Sequence, residues 1–211
     1  MAILMVVFLC AGYLVFSVVI VHATGPAVVK LGRNGGQLPA GMTAVDIRYP
    51  ILTPGNGNSD NHGVAKITRP DFVLPAFDGV LLGSDRGEWG GELVFRDRDG
   101  RFHQLLNRDV RGIVRTPSGI VVFVGLAHLF GSAGGIYRVS LDGDGTVATT
   151  LIHDLRGSPG AIQWTRHGDL VFQVDIRAFR RYGLLSSQKT RCFLLDSAGM
   201  LRRQLCAAIL H

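Results

Sequence analysis

The chain has 211 residues, 47% of them hydrophobic and 18% charged, with a formal net charge of +6. Without its apolar first 23 residues it is still long enough to bury roughly 70% of its unfolded surface, so the fold does not require disulfide or metal staples. The positive charge reflects an arginine skew: Lys30, Lys66 and Lys189 are the only lysines and Glu88 and Glu92 the only glutamates. By itself it does not imply nucleic acid as a partner.

Residues 1–23 (MAILMVVFLCAGYLVFSVVIVHA) carry no charged side chain. Such a run can cross a bilayer as a helix, which needs about 20 apolar residues, and the segment is predicted as an N-terminal hydrophobic helix. It ends in Val21-His22-Ala23, an acceptable small-residue cleavage site, and gives way at once to Thr24-Gly25-Pro26. Those features favour a signal peptide and an exported domain, periplasmic or extracellular. The length favours a retained membrane anchor, because signal cores run about 7–15 residues. No basic residue precedes the run, while Lys30 and Arg33 follow it, so an anchored domain facing the cytoplasm is the alternative orientation.

Residues 24–69 show no clear plan. Gly32–Gly41 and Pro54–Gly63 are rich in Gly, Asn and Pro, as loops are. Thr43–Tyr49 and Val64–Thr68 are candidate strands between and after them. The segment is read as an irregular linker or a degenerate blade of the unit that follows.

From residue 70 to 211 the chain repeats itself. Arg111–Ile152 reads as four strands: Gly112–Arg115, then Ile120–Val124 (IVVFV), Ile136–Leu141 and Thr146–Ile152. The second of these is apolar at every position, so both its faces should be covered. The turn Thr116-Pro117-Ser118-Gly119 matches Ala76-Phe77-Asp78-Gly79 upstream and Thr165-Arg166-His167-Gly168 downstream. A second turn reads DRDG, DGDG and DSAG, ending at Gly100, Gly145 and Gly199. Repeats over about 70–106, 111–152 and 160–206, each an antiparallel four-stranded meander, resemble the blades of β-propellers. The fold class expected is therefore all-β, a propeller-like array of about three clear blades with a possible degenerate fourth, preceded by the hydrophobic helix. The resemblance is to the architecture; no tryptophan–aspartate or kelch signature accompanies it.

Cys192 and Cys206 invite a disulfide, but a four-residue turn at Asp196–Gly199 would set Cys192 opposite Arg203. Cys206 would then lie three residues further along and on the other face of the ribbon. A Cys192–Cys206 bridge is accordingly not expected.

In a blade array the connections between second and third strands gather on one rim, and loops on a rigid scaffold are where function concentrates. These connections are Ser84–Gly90, Gly125–Gly134 and Asp175–Lys189. The candidate ligand-binding rim comprises Asp85, Glu88, Trp89, His128, Arg177, Arg180, Arg181 and Tyr182, with His153 from a link between repeats. Aromatic side chains mixed with arginine suit a binding surface. The partner expected is a protein or an anionic surface, not nucleic acid, with membrane attachment possible through residues 1–23. No cofactor, metal ligand set or catalytic residue is assigned. Asp97/Asp99, Asp142/Asp144 and Asn56–Asp60 lack the closing glutamate of a calcium loop, and no serine sits in G-x-S-x-G. The function expected is a non-enzymatic binding or scaffolding module, with a propeller-type hydrolase or lyase and a cytoplasm-facing interaction domain as alternatives.

Overall fold

The structure, a computed structural model, describes residues 2–10, 13–21, 47–52, 67–128, 131–165, 167–179 and 186–206. It is built from antiparallel strands, with no α-helix among the described residues. The expected N-terminal helix is not shown. Ala2–Cys10 (β1) and Tyr13–Val21 (β2) instead pair antiparallel, from Ala2 opposite Val21 to Cys10 opposite Tyr13. Two apolar runs rich in valine and isoleucine have the composition that suits strands as well as helices. Among the described residues no helix is long and apolar enough to cross a membrane.

Of the two candidate strands in the irregular segment, short pieces are seen: Tyr49–Pro50 (β3) pairs with Ile67–Thr68 (β4). Residues 43–46 and 64–66 lie outside the described set.

Three four-stranded meanders follow. The first is Phe72–Ala76 (β5), Gly79–Ser84 (β6), Glu92–Arg96 (β7) and Phe102–Leu106 (β8), hydrogen-bonded in that order. The second is Val110–Thr116 (β9), Gly119–His128 (β10), Gly131–Leu141 (β11) and Val147–Leu155 (β12). The third is Ser158–Trp164 (β13), Leu170–Phe179 (β14), Ser186–Leu195 (β15) and Leu201–Gln204 (β16). A pairing of Gly131 with Ala178 ties β11 to β14, so the second and third meanders form one eight-stranded sheet.

One turn design recurs through the repeats. In Asp97–Arg101, Asp142–Thr146, Thr165–Asp169 and Asp196–Met200 the first residue's amide donates to the last residue's carbonyl, and the glycine amide at the fourth position donates back to the first residue's carbonyl. Gly100, Gly145, Gly168 and Gly199 sit at φ between 82° and 84°, the left-handed position of a three-residue hairpin loop with a bulge.

The apolar strand β10 explains how the meanders stack. Ile120, Val122 and Val124 face one cluster with Phe72, Leu74, Leu81, Leu93 and Phe95 of the first meander. Val121 and Phe123 face the opposite cluster, with Leu170, Phe172, Val174 and Leu195 of the third. All five β10 residues are buried, as the unbroken apolar run predicts. The far face of the first meander is covered too, for Leu82 and Val94 pack with the fully buried Tyr49. Close approach between layers demands small residues: a Cβ on Gly83 would lie 2.7 Å from Val110 Cγ1, and one on Gly125 would lie 2.5 Å from Pro159 Cδ.

The Cys192–Cys206 expectation is overturned. The two residues are bridged, with Cα atoms 5.1 Å apart. The reason is the turn. Leu195 pairs with Leu201 and Cys192 with Gln204, so five residues separate the paired ends, the three-residue loop plus its flanking Asp196 and Met200, where four were counted. Cys206 therefore lies two positions beyond the partner of Cys192. An even offset restores the same face, and β16 ends at Gln204, which frees the chain to bring Cys206 back onto the buried Cys192.

Candidate functional site

The candidate surface is built on the connection between β6 and β7. Gly87 and Gly90 take positive φ of 61° and 75° around a single 3-10 turn at Gly87–Trp89, and the turn pushes Trp89 outward, 67% exposed. A layer of polar groups beneath clamps this loop. Asp71 Oδ2 accepts the amide of Asp85 at 2.7 Å, Asp109 Oδ1 that of Arg86 at 3.0 Å, and Asp85 Oδ1 that of Gly87 at 3.2 Å. Arg86 folds back on itself, donating from Nε to the Gly90 carbonyl at 2.8 Å and from Nη1 to Glu92 Oε1 at 3.1 Å.

Glu92 is completely buried. Its second oxygen accepts from Gln104 Nε2 at 3.0 Å, and its amide donates to Ser84 Oγ at 3.2 Å. Arg111 carries the clamp into the second meander, donating from Nη1 to Asp85 Oδ2 at 2.6 Å and from Nε to the Gly125 carbonyl at 2.8 Å. Buried carboxylates supplied with donors on each oxygen rigidify what rests on them.

Burial pushes the Asp109 carboxyl above its ordinary range, the amide of Arg86 pulling the other way. Burial likewise pushes the Tyr49 phenol up to about 12, against the opposing influence of Ser84. The Tyr49 hydroxyl lies beside Ser84 and Glu92 without a partner in hydrogen-bonding geometry.

On the outer side of the loop, Glu88 Oε2 meets His128 Nε2 at 3.0 Å. That contact joins the first meander's long connection to the tip of the β10–β11 hairpin. The third connection is joined to the same hairpin, for the Arg177 amide donates to Ser132 Oγ at 2.9 Å next to the Gly131–Ala178 pairing. The Glu88–His128 contact and the bond from the Arg177 amide to Ser132 tie the connections of three meanders together, and Trp89 stands on the first of these connections. Asp85 serves inside the clamp, whereas Glu88 and Trp89 face solvent.

His153 does not join them. Its Nε2 lies 2.7 Å from the carbonyl of Gly199, in the β15–β16 turn, at the end of β15 opposite its connection to β14. Arg180, Arg181 and Tyr182 lie outside the described residues.

Glu92 and Arg111, missed in the sequence reading, hold the site in place. A glutamate opening the apolar run Glu92–Phe95, in a chain with two glutamates, was the available signal. The paired aspartates of the turns are occupied locally: Asp97 Oδ1 accepts the Arg101 amide at 2.8 Å and Asp144 Oδ1 the Thr146 amide at 2.9 Å. Residues 56–60 lie outside the described set. Among the described residues no three His, Cys, Asp or Glu side chains are grouped to hold a metal ion.

The chain matches no protein-family model, and no curated protein and no solved structure matches it.

Proposed function

We propose that the protein is an exported, non-enzymatic binding module: a propeller-like array whose rim of second-to-third-strand connections docks a partner presenting an anionic surface. The observation that carries this reading is the Glu88–His128 contact at 3.0 Å, because it sets a clamped, solvent-facing Trp89 beside the connections of the neighbouring meanders. A rigid exposed tryptophan loses little entropy on binding and can contribute a large share of an interface's energy. The Arg177 amide is tied to the same hairpin as His128, and the sequence beyond it adds Arg180, Arg181 and Tyr182, a mixture suited to acidic head groups or acidic side chains.

The array is supported by the alternating allegiance of β10 to two neighbours and by the cover that Tyr49 gives the first meander, as an adjoining blade would. Export is supported by the Cys192–Cys206 bridge, since disulfides persist in oxidising compartments, and by the uncharged first 23 residues. A chain beginning at Thr24 in the mass spectrum of protein from its own host is the outcome expected of export; an intact Met1 favours the anchored alternative.

The binding reading is tested by co-sedimentation with phosphatidylglycerol vesicles and by capture on immobilised polyglutamate. Binding to one of these is expected, with loss in Trp89→Ala and in the Arg180→Gln/Arg181→Gln pair. Binding that survives both substitutions overturns the rim as the site. Turnover of a lactone or ester that disappears in His128→Ala would instead favour the hydrolase reading, with Glu88 orienting the imidazole.

A further inference from the structure

At the opposite end of the first meander lies a cleft of about 660 Å³ that the rim does not involve. Its walls are the β5–β6 turn, the start of the β7–β8 turn and the end of β9, which bring together Phe77, Asp78, Arg96, Asp97, Arg98 and Arg115. We propose that this cleft is a second binding site, for a small ligand bearing phosphate or carboxylate groups.

Three arginines line it, Arg96 and Arg98 from the end of β7 and the turn that follows and Arg115 from β9, against Asp78 and Asp97. Asp97 is already engaged: its Oδ2 lies 2.9 Å from His103 Nε2 and its Oδ1 accepts the Arg101 amide. Among the described residues neither Arg96 nor Arg98 pairs with a carboxylate. Arg115 is held at the wall by donating from Nη2 to the Pro75 carbonyl at 2.6 Å, which uses one donor of its fork and leaves others available. Arginine's planar fork matches the geometry of phosphate and carboxylate oxygens.

The remaining wall is unusual in its backbone. Phe77 sits at φ 55°, a left-handed conformation uncommon for a bulky residue, and its ring is 40% exposed. The ring is fixed edge-on to Phe95, with centroids 6.3 Å apart. Backbone strain of this kind tends to be kept where it positions a side chain for use. Here it presents an apolar wall beside the Arg96 and Arg98 guanidinium groups, and Gly79 lets the β5–β6 turn sit close against β7, because a Cβ there would lie 2.2 Å from the Arg96 carbonyl.

Calorimetric titration of the full chain with inorganic pyrophosphate and, separately, with citrate tests the assignment. Saturable binding of at least one is expected; pyrophosphate alone assigns a phosphate ligand, citrate alone a carboxylate ligand. The Arg96→Gln/Arg98→Gln variant should bind about tenfold more weakly or worse, from the loss of charge-assisted hydrogen bonds. The Arg202→Gln/Arg203→Gln variant removes the same charge from exposed positions on β16 and should bind as the parent does, as should Trp89→Ala at the rim. Absence of binding by both probes, or equal weakening in the two double variants, overturns the proposal without touching the reading of the rim.

Discussion

Glu92 and Asp109 have the same chemistry and nearly the same burial, yet they respond differently to change. Glu92 accepts from Arg86 and Gln104, so its removal leaves the largely buried Arg86 guanidinium without its carboxylate. Glu92→Ala should cost about 3–5 kcal/mol in urea denaturation, the usual consequence of breaking a buried pair from one side. Asp109 is held above its ordinary pKa chiefly by burial. A group raised in this way favours the folded state most when protonated, at pH below its unfolded pKa, and that contribution is lost as pH rises through the folded value. Asp109→Asn keeps an oxygen for the Arg86 amide and removes the titration. Thermal melts at pH 4 and pH 7 should then show a smaller neutral-pH penalty in the variant than in the parent.

The candidate rim was partly legible at this scale. Trp89 and Glu88 were visible as aromatic and polar residues of a loop, whereas His128, expected on a loop over Gly125–Gly134, ends β10, because the β10–β11 pairing runs on to His128 and Gly131. The engagement of His153 by the Gly199 carbonyl was not visible, since it depends on how two meanders pack and no local pattern encodes that.

Among the elements, the turns carry the clearest grammar. The Asp-to-Gly spacing in DRDG, DGDG and DSAG foretold hairpin loops, and four loops of one design are present. Gly145 and Gly143 make a paired test, because neither would bring an added Cβ within 4 Å of another atom, and of the two only Gly145 has positive φ, at 82°. Gly145→Ala should lose about 1–2 kcal/mol from the dihedral alone, while Gly143→Ala should be close to neutral in the same melt. The cysteines failed on one residue of loop length. Counting four residues in the Asp196 turn put Cys206 on the wrong face, whereas the register from Leu195–Leu201 to Cys192–Gln204 puts it on the right one. Reducing the bridge, or replacing both cysteines with serine, should lower stability by about 3 kcal/mol for a loop of this span, measured in urea with and without reductant. The N-terminal run shows the opposite limit: unbroken apolar sequence has no period, so composition alone could not decide between helix and strand.

In the molecule as a whole, β10 is the strand that two neighbouring layers share. Phe123 is fully buried and meets Phe172 edge-on with ring centroids 5.0 Å apart, so Phe123→Ala should cost about 3–5 kcal/mol in equilibrium unfolding. The unbroken run IVVFV announced that the strand would be covered on both sides, and the repeated turns announced the meanders. Which layer would cover which face was not written in either, because it depends on links such as Asn107–Asp109 and Arg156–Gly157, whose paths are set by packing.

Because adjacent residues of β10 belong to separate reservoirs of cohesion, the strand works as a partition wall. Truncations at Val122 and at Phe123 draw on different sides of it. Their penalties should simply sum in the double variant, to within about 0.5 kcal/mol, although the two side chains are neighbours in sequence.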